Sequence, residues 1–506
     1  MDSIRLRNYR CFDDTSFVEI KPITMLLGAN SSGKSSFLKF LPLLKQSVGV
    51  GTKGSFLWNS DNVDFNNFQN TVKDGSDEMV ISMQIKNLPL TRRYNTFKQF
   101  FDTINIDMYL KAIDHDFDYL SKLVISYDQI VYEINFEDYY SISSIRVNDF
   151  ILESSEKLHI KSAFTNSLLP KMQILEKNSL FSDELDEIES LFYSTIGVHK
   201  TDYTYRRALL AAFRKIVNFD MLRNYININL NKEFRVEETD RIANIILLYN
   251  INNIIDSLNL YFLSFALSLN YVQPIRVFSE RYYRFQNFAV QNIDSDGRNL
   301  PMFFNSLSED EMDDLNSWLS SIFEFKLKVL RTGGSIEIII EEQDKNPRNM
   351  VDVGFGYTQC LPILVIIWKV AVLDCGNVRN KDKEKYCKEH IIAIEQPELH
   401  LHPRFQALFA EMIVKVIKYC KVTDRDVRFV VETHSEAIIN KLGEMVACNL
   451  AKKEDINVVI FNATKEGLAA YVEQTQFTEE GFINNWPYGF FSYVDRNKKR
   501  CCPEGN

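Results

Sequence analysis

The apolar positions change period several times along the chain, and each change marks an element. Ile4–Arg10 and Phe17–Ile20 alternate like edge strands, and Ile23–Leu27 is a short apolar run ending at Gly28, as a buried strand does. Ser35–Gln46 has helical spacing. Between residues 79 and 165, Met79–Ile85, Leu123–Ile125, Ile130–Ile134, Ile145–Val147 and Leu158–Ile160 predict antiparallel strands, and Asn95–Leu120 predicts a helix among them. Residues 166–270 are expected to be mostly helical, with apolar positions three and four apart, as at Ile242, Ile245, Ile246 and Tyr249. Phe325–Glu342 predicts a hairpin that turns at Gly333–Gly334. From about residue 350 the order is loop, helix, strand, helix, strand, helix, strand. The division expected is 1–165, 166–270 and 271–506, with the middle segment a helical insertion. No repeat of 20–50 residues interrupts this order.

Composition narrows the class. With 45% hydrophobic and 25% charged residues the 506-residue chain is expected to be a soluble globular protein. Leu361–Leu373 and Leu258–Leu269 are the most apolar stretches. Both are shorter than the ~20 residues of a membrane span, so buried helices and no membrane partner are expected. The charged opening MDSIRLRNYR predicts no signal peptide. The eight cysteines form no CxxC pair, and Cys501–Cys502 adjoin in a polar tail, so a reducing, cytoplasmic location is expected. A net charge of −10 argues against a surface built throughout for nucleic acid, though a local basic groove stays open.

Candidate chemistry begins at Gly28-Ala-Asn-Ser-Ser-Gly-Lys-Ser, which fits G-x-x-x-x-G-K-[ST] between a predicted strand and a predicted helix. Glycines let backbone N–H groups approach phosphate, Lys34 reaches the β and γ oxygens, and Ser35 offers a hydroxyl to Mg²⁺. Gly28, Asn30, Ser31, Ser32, Gly33, Lys34, Ser35 and Ser36 are the residues expected to hold ATP. About 360 residues later the apolar strand Ile391–Ile394 ends at Glu395, where an acid would hold Mg²⁺. A second β run, Val427–Val431, leads into Glu432-Thr-His-Ser, which would set His434 beside the γ-phosphate to sense it and position water. His400 and His402, two residues apart without a third ligand, make a poor zinc site. Asp294-Ser-Asp-Gly reads as a turn and not a calcium loop, since the distal Glu is missing.

Taken together, these motifs resemble the ABC-type ATPase heads of the RecF/SMC and OLD (overcoming-lysogenization-defect) superfamily. The opening Ile4-Arg-Leu-Arg-Asn-Tyr-Arg-Cys-Phe is similar to the family's first strand. Glu395-Gln-Pro-Glu-Leu-His-Leu-His-Pro resembles its Walker B and D-loop segment, Glu432-Thr-His-Ser-Glu its His switch, and Trp486-Pro-Tyr-Gly-Phe-Phe the ending of one subgroup. The likeness spans about residues 1–90 and 266–492. It implies an α/β fold, a mixed-sheet head with an antiparallel β subdomain. It also implies paired heads in an even-numbered homo-oligomer. Gly354, Gly356 and Thr358, in the signature position Val353-Gly-Phe-Gly-Tyr-Thr, would then contact the γ-phosphate held by the partner copy. One position departs from the pattern: Gln396 stands where the family carries a water-activating Glu. An amide orients water but takes no proton, so slow hydrolysis is expected unless Glu398 or His434 compensates. The resemblance further implies the ATPase subunit of an anti-phage system of Septu or PARIS type. Such a subunit gates a separately encoded effector, expected to be a nuclease, because the chain carries no Toprim-like or HNH-like set. The alternative is a RecF-like repair ATPase acting on DNA, for which Arg276, Arg281 and Arg284 with Tyr282 and Tyr283 could supply basic contacts.

Overall fold

The computed structural model describes residues 1–50, 54–90, 100–113, 117–153, 160–163, 167–174, 212–213, 216–229, 236–274, 280–286, 290–342, 345–353, 355–373, 389–463 and 470–484. The chain forms two compact units. The first comprises Met1–Val18 and Pro42–Leu267, the second Glu19–Leu41 and Ser268–Asn506.

The first unit is built on an antiparallel meander. In spatial order its strands are Phe150–Glu153, Ile142–Val147, Ile130–Phe136, Asp118–Tyr127, Phe100–Ala112, Glu78–Pro89, Ser3–Tyr9 and Phe12–Asp14, each antiparallel to the next. The helix expected over Asn95–Leu120 is not formed: Phe100–Ala112 is a strand, Leu120 lies in the next one, and 95–99 fall outside the described residues. The reason is a strict period of two. Ile104, Ile106, Met108 and Leu110 are fully buried, while Thr103, Asn105, Asp107 and Lys111 alternate with them. The expected strands at Met79–Ile85, Leu123–Ile125, Ile130–Ile134 and Ile145–Val147 are present and longer than predicted; Leu158 lies outside the described residues. Three helices, Phe219–Asn229, Val236–Tyr249 and Ile251–Ser268, follow in the region expected to be helical. Val236–Tyr249 is tied to the sheet where Tyr132 Oη donates to the Leu247 carbonyl at 3.1 Å and Asn148 Nδ2 to Asn244 Oδ1 at 3.2 Å.

The second unit carries a parallel sheet. Its elements are β1 (Ile23–Gly28), α1 (Lys34–Leu38), β2 (Leu269–Val272), α2 (Glu309–Phe323), β3 (Phe325–Thr332), β4 (Ser335–Glu342), α3 (Phe355–Trp368), β5 (Glu389–Glu395), α4 (Pro403–Val422), β6 (Asp426–Glu432), α5 (Glu436–Ala447), β7 (Ile456–Ala463) and β8 (Ala470–Thr475). The spatial order is β8-β7-β1-β6-β5-β2, parallel throughout except for β8. The expected α/β architecture with a mixed sheet is therefore present. Every residue of β1 is buried, as a central strand covered on both faces requires. Ile23, Met25 and Leu27 join a core that includes Leu364, Ile367 and Trp368 of α3, Phe409 and Ile413 of α4, and Leu442 of α5.

β3 and β4 form the expected hairpin. Thr332 pairs with Ser335, and Gly333 and Gly334 both take positive φ (57° and 86°), as a two-residue turn matched to strand twist demands. The stretch Gly356–Leu373 is long and apolar enough to cross a membrane (mean hydropathy 1.6), but 72% of it is buried as a core helix. The single helix expected over Ser35–Gln46 is instead two, Lys34–Leu38 and Phe40–Ser47. Pro42 has no N–H with which to close a turn onto Leu38, so the first helix stops there.

Candidate functional site

Parallel strands send all their C-terminal ends to one edge, where open α/β sheets bind ligands. Here that edge carries Gly28 of β1, Glu395 of β5 and Glu432 of β6. Register sets them side by side: Glu395 pairs with Glu432, Glu432 with Leu26, and Gly28 with Phe461 of β7. The loop leaving β1 crowds its neighbour. A Cβ on Gly28 would lie 2.4 Å from the Phe461 carbonyl oxygen and 2.5 Å from Ser32 Oγ, so only glycine fits.

Ala29, Asn30 and Ser31 are exposed at the tip of the loop, Gly33 and Ser36 are half-buried, and Ser32 is buried with its Oγ lacking a hydrogen-bond partner. Lys34, 3% exposed, curls beneath the loop and donates through Nζ to the carbonyls of Gly28 (3.0 Å) and Ala29 (2.7 Å). Burial lowers the pKa of its ammonium, and the charges of Glu432 and Glu398 work against that shift. Ser35 Oγ donates to Glu432 Oε1 at 2.7 Å. The other oxygen of Glu432 is buried and without a hydrogen-bond partner. Burial raises the pKa of Glu432. The Ser35 hydrogen bond opposes it first, then the charges of Lys34 and Lys39.

Glu395 is 3% exposed. Its Oε1 accepts from Tyr271 Oη at 2.5 Å, and its Oε2 lies 3.8 Å from Lys39 Nζ. Burial and then the Glu395 charge push the Tyr271 phenol far above its ordinary range, so it remains a donor at every working pH. Gln396 turns the chain out of β5 with φ 44° and donates its N–H to the Glu432 carbonyl at 2.9 Å. Glu398 is held as a clamp on the loop after β6: Thr433 Oγ1 donates to it at 2.8 Å and the His434 N–H at 2.7 Å. Burial, followed by Lys34, lowers the His434 pKa and keeps the imidazole neutral near pH 7. Ser435 caps α5, accepting from the Ile438 N–H at 3.1 Å and donating to Gln406 Oε1 at 2.6 Å.

The structure thus brings Gly28, Gly33, Lys34, Ser35, Glu395, Gln396, Glu398 and His434 to one edge. Gly356 and Thr358 lie in the first turn of α3. A Cβ on Gly356 would touch the His400 carbonyl oxygen at 3.5 Å, so this turn packs on the loop that follows β5. Gly354 and Trp486–Phe491 lie outside the described residues. His402 serves as the cap of α4, its Nδ1 accepting from the Arg404 N–H at 3.2 Å, and no three His, Cys, Asp or Glu converge as a metal cage among the described residues. Asp294–Gly297 is the expected turn, closed by the Gly297 N–H on the Asp294 carbonyl at 2.9 Å. Arg281 pairs with Asp352, and Arg276 lies outside the described residues.

Sequence reasoning gave no role to Glu432, Tyr271 or Lys39. Glu432 carried a usable signal, because it ends an apolar β run just as Glu395 does. Tyr271 and Lys39 carried none that spacing could reveal.

The AAA ATPase domain model matches residues 1–439, and the chain belongs to that family. Nucleotide binding, typically with Mg²⁺, is the property the family implies. A search of curated proteins finds no match. Among solved structures, an Smc head domain from Pyrococcus furiosus bound to the C-terminal domain of ScpA is similar at 10% identity and TM-score 0.32, covering 94% of this chain and 96% of that one. The SMC head domain from Thermotoga maritima gives 9% identity and TM-score 0.33 over 93% and 97%. An Smc head from Pyrococcus yayanosii gives 9% and 0.36 over 95% and 97%. At these scores the family assignment rests on the 439 matched residues alone.

The residues present fit Mg²⁺–ATP. Two buried oxygens, Ser32 Oγ and Glu432 Oε2, have no protein partner beside a loop whose N–H groups a phosphate can take. Mg²⁺ draws one or two carboxylates from protein and the rest of its ligands from phosphate and water, so no preformed cage is required.

Proposed function

We propose that the chain binds ATP–Mg²⁺ at this edge, hydrolyses it slowly, and uses nucleotide state to hold or release a separately encoded effector in a bacterial anti-phage system. The observation that carries the nucleotide part is the meeting of Lys34, Ser35, Glu395, Glu432 and His434 at one end of β1, β5 and β6. In this reading the loop N–H groups and Lys34 hold the phosphates, Ser35 and an acid hold Mg²⁺, and His434 faces the γ-phosphate. A bound Mg²⁺ supplies charge neutralisation at the phosphate oxygens.

Slow turnover follows from Gln396, an amide where a base is needed. Glu398 is a poor substitute, since both of its oxygens already accept hydrogen bonds from the loop after β6. The neutral His434 can orient water. The resemblance supports a second copy as the source of the γ-phosphate signature. The effector role is supported by the resemblance alone. The DNA-repair alternative loses one of its basic contacts to the Arg281–Asp352 pair.

Two measurements test this. ATP hydrolysis by the native chain should be slow, be lost in Lys34→Ala, and rise at least ~10-fold in Gln396→Glu, the low end of what a positioned base contributes being ~100-fold. No rise in Gln396→Glu would show that the amide is no brake. Affinity purification from native cells should recover a stoichiometric protein partner whose retention changes between ATP and ADP. Recovery of the chain alone, with turnover stimulated by DNA, would overturn the effector reading.

A further inference from the structure

Glu395 ends β5 where the magnesium acid was expected, yet its carboxylate is already engaged, with Tyr271 Oη on one oxygen and Lys39 Nζ facing the other. Glu432 stands one strand nearer the phosphate loop, on β6, the immediate neighbour of β1. One of its oxygens sits 2.7 Å from Ser35 Oγ, and the other is buried with no hydrogen-bond partner.

Geometry separates the two acids. In a loop of this type the Ser hydroxyl is a magnesium ligand. Mg²⁺–oxygen distances of about 2.1 Å in an octahedron put neighbouring ligands about 3 Å apart. The Ser35–Glu432 hydrogen bond, at 2.7 Å, already holds the two oxygens close to the spacing of ligands sharing one ion. An unpartnered carboxylate oxygen, only 1% of whose residue is exposed, is costly unless something charged completes it. A divalent cation between Ser35, Glu432 and the phosphates would do so. Glu395 could play the same part only through Oε2, the oxygen that faces Lys39, while Tyr271 holds Oε1.

We propose that Glu432 supplies the protein carboxylate of the Mg²⁺ site, with Ser35, and that Glu395 is a positioning residue locked to Tyr271 and Lys39. This rests on the ATP–Mg²⁺ reading of the site. With an ion bound there, Ser35 would turn its O–H away from Glu432 Oε1 and offer an Oγ lone pair to the metal, and Glu432 would offer its oxygens in place of accepting that hydrogen bond. No covalent bond changes.

The test uses the full chain with Mn²⁺ as a paramagnetic substitute. Free Mn²⁺ is read by electron paramagnetic resonance in the presence of ATP, and ATP affinity is measured with Mn²⁺ and with EDTA. The quantity compared is the factor by which the metal tightens ATP. Glu432→Gln should cut that factor at least ~10-fold, the scale on which metal-site partners act, Glu432→Asp should keep part of it, and Glu395→Gln should change it less than ~3-fold. Thermal melting of Glu432→Gln verifies that the variant is folded. If Glu395→Gln abolishes the metal factor while Glu432→Gln leaves it intact, the assignment is overturned although the nucleotide site stands. If the native chain binds no ATP, or binds it as well with Lys34→Ala, the site reading itself fails, and the proposal with it.

Discussion

Glu398 offers the sharpest test of how the edge is assembled, because its two oxygens each accept one hydrogen bond from the loop after β6. Thr433 is fully buried, and the His434 N–H has Glu398 Oε1 at 2.7 Å. A hydrogen bond to a charged group contributes about 1.5–3 kcal/mol. Glu398 is half-buried, so water replaces part of what is lost, and the lower end applies to each bond. Glu398→Ala should then destabilise the second unit by about 3 kcal/mol. Glu398→Gln keeps one carbonyl acceptor and presents an amide donor where the other oxygen was, so it should cost about half as much. At about 2 °C per kcal/mol for a unit of this size, the expected fall in melting temperature is about 6 °C for Ala and about 3 °C for Gln. Thermal unfolding at pH 7.5 without nucleotide reads both. Equal shifts in the two variants, or an Ala variant melting within ~1 °C of native, would refute the clamp.

Other expectations follow from the same edge. Gly28→Ala drives a methyl group into the Phe461 carbonyl and Ser32 Oγ, so β1 and β7 must part; a loss of about 3 kcal/mol or more and of ATP binding is expected, read by melting and by nucleotide titration. Burial raises the Glu432 pKa above its ordinary 4.5, so the folded form binds more protons than the unfolded one in the window above 4.5. That contribution to stability is complete below 4.5 and is lost as pH rises through the folded value. In metal-free buffer Glu432→Gln should therefore melt above the native chain at pH 8 and lose that advantage by pH 4, which melting across pH reads directly.

Much of the second unit was legible because its signals are contiguous. The Gly28–Ser35 loop reads off eight neighbouring residues, β5 carries the apolar run Ile391–Ile394 before its acid, and β6 runs from Val427 to Val431, with Arg428 inside it, into another acid. What could not be read depends on register. That Glu432 meets Ser35 follows from β6 lying between β1 and β5, and no spacing along the chain encodes that order. Tyr271 reaches Glu395 across 124 residues. The strand Phe100–Ala112 was misread for a different reason. Its apolar and polar residues alternate with the period of a strand, which no helix face accommodates, and the expected helix ran against that alternation. Pairing with Glu78–Pro89 and Asp118–Tyr127 decides for the sheet. His400 and His402 read as a poor zinc site, and His402 is a helix cap, a role that only the Pro403 start of α4 suggests.

The seven residues from Gln396 to His402 show how a nucleotide signal would leave the edge. Gln396 is fixed to the Glu432 carbonyl and held at φ 44°, a conformation that costs a residue with a Cβ about 1 kcal/mol and persists because both neighbouring strands impose it. Glu398 is bonded to Thr433 and His434, the His400 carbonyl lies against the first turn of α3, and His402 starts α4. A displacement of His434 toward a phosphate therefore pulls on Glu398, and Glu398 is two residues from the contact with Gly356. One hydrogen bond, from the His434 N–H to Glu398, and two residues of chain separate the proposed phosphate sensor from the His400 carbonyl that faces the proposed signature turn. Because Glu398 serves both ends, its removal should uncouple them as well as destabilise them. The melting shift and any loss of nucleotide-dependent self-association should then appear together in Glu398→Ala, and a variant that melts low yet still responds to ATP in full would place the route elsewhere.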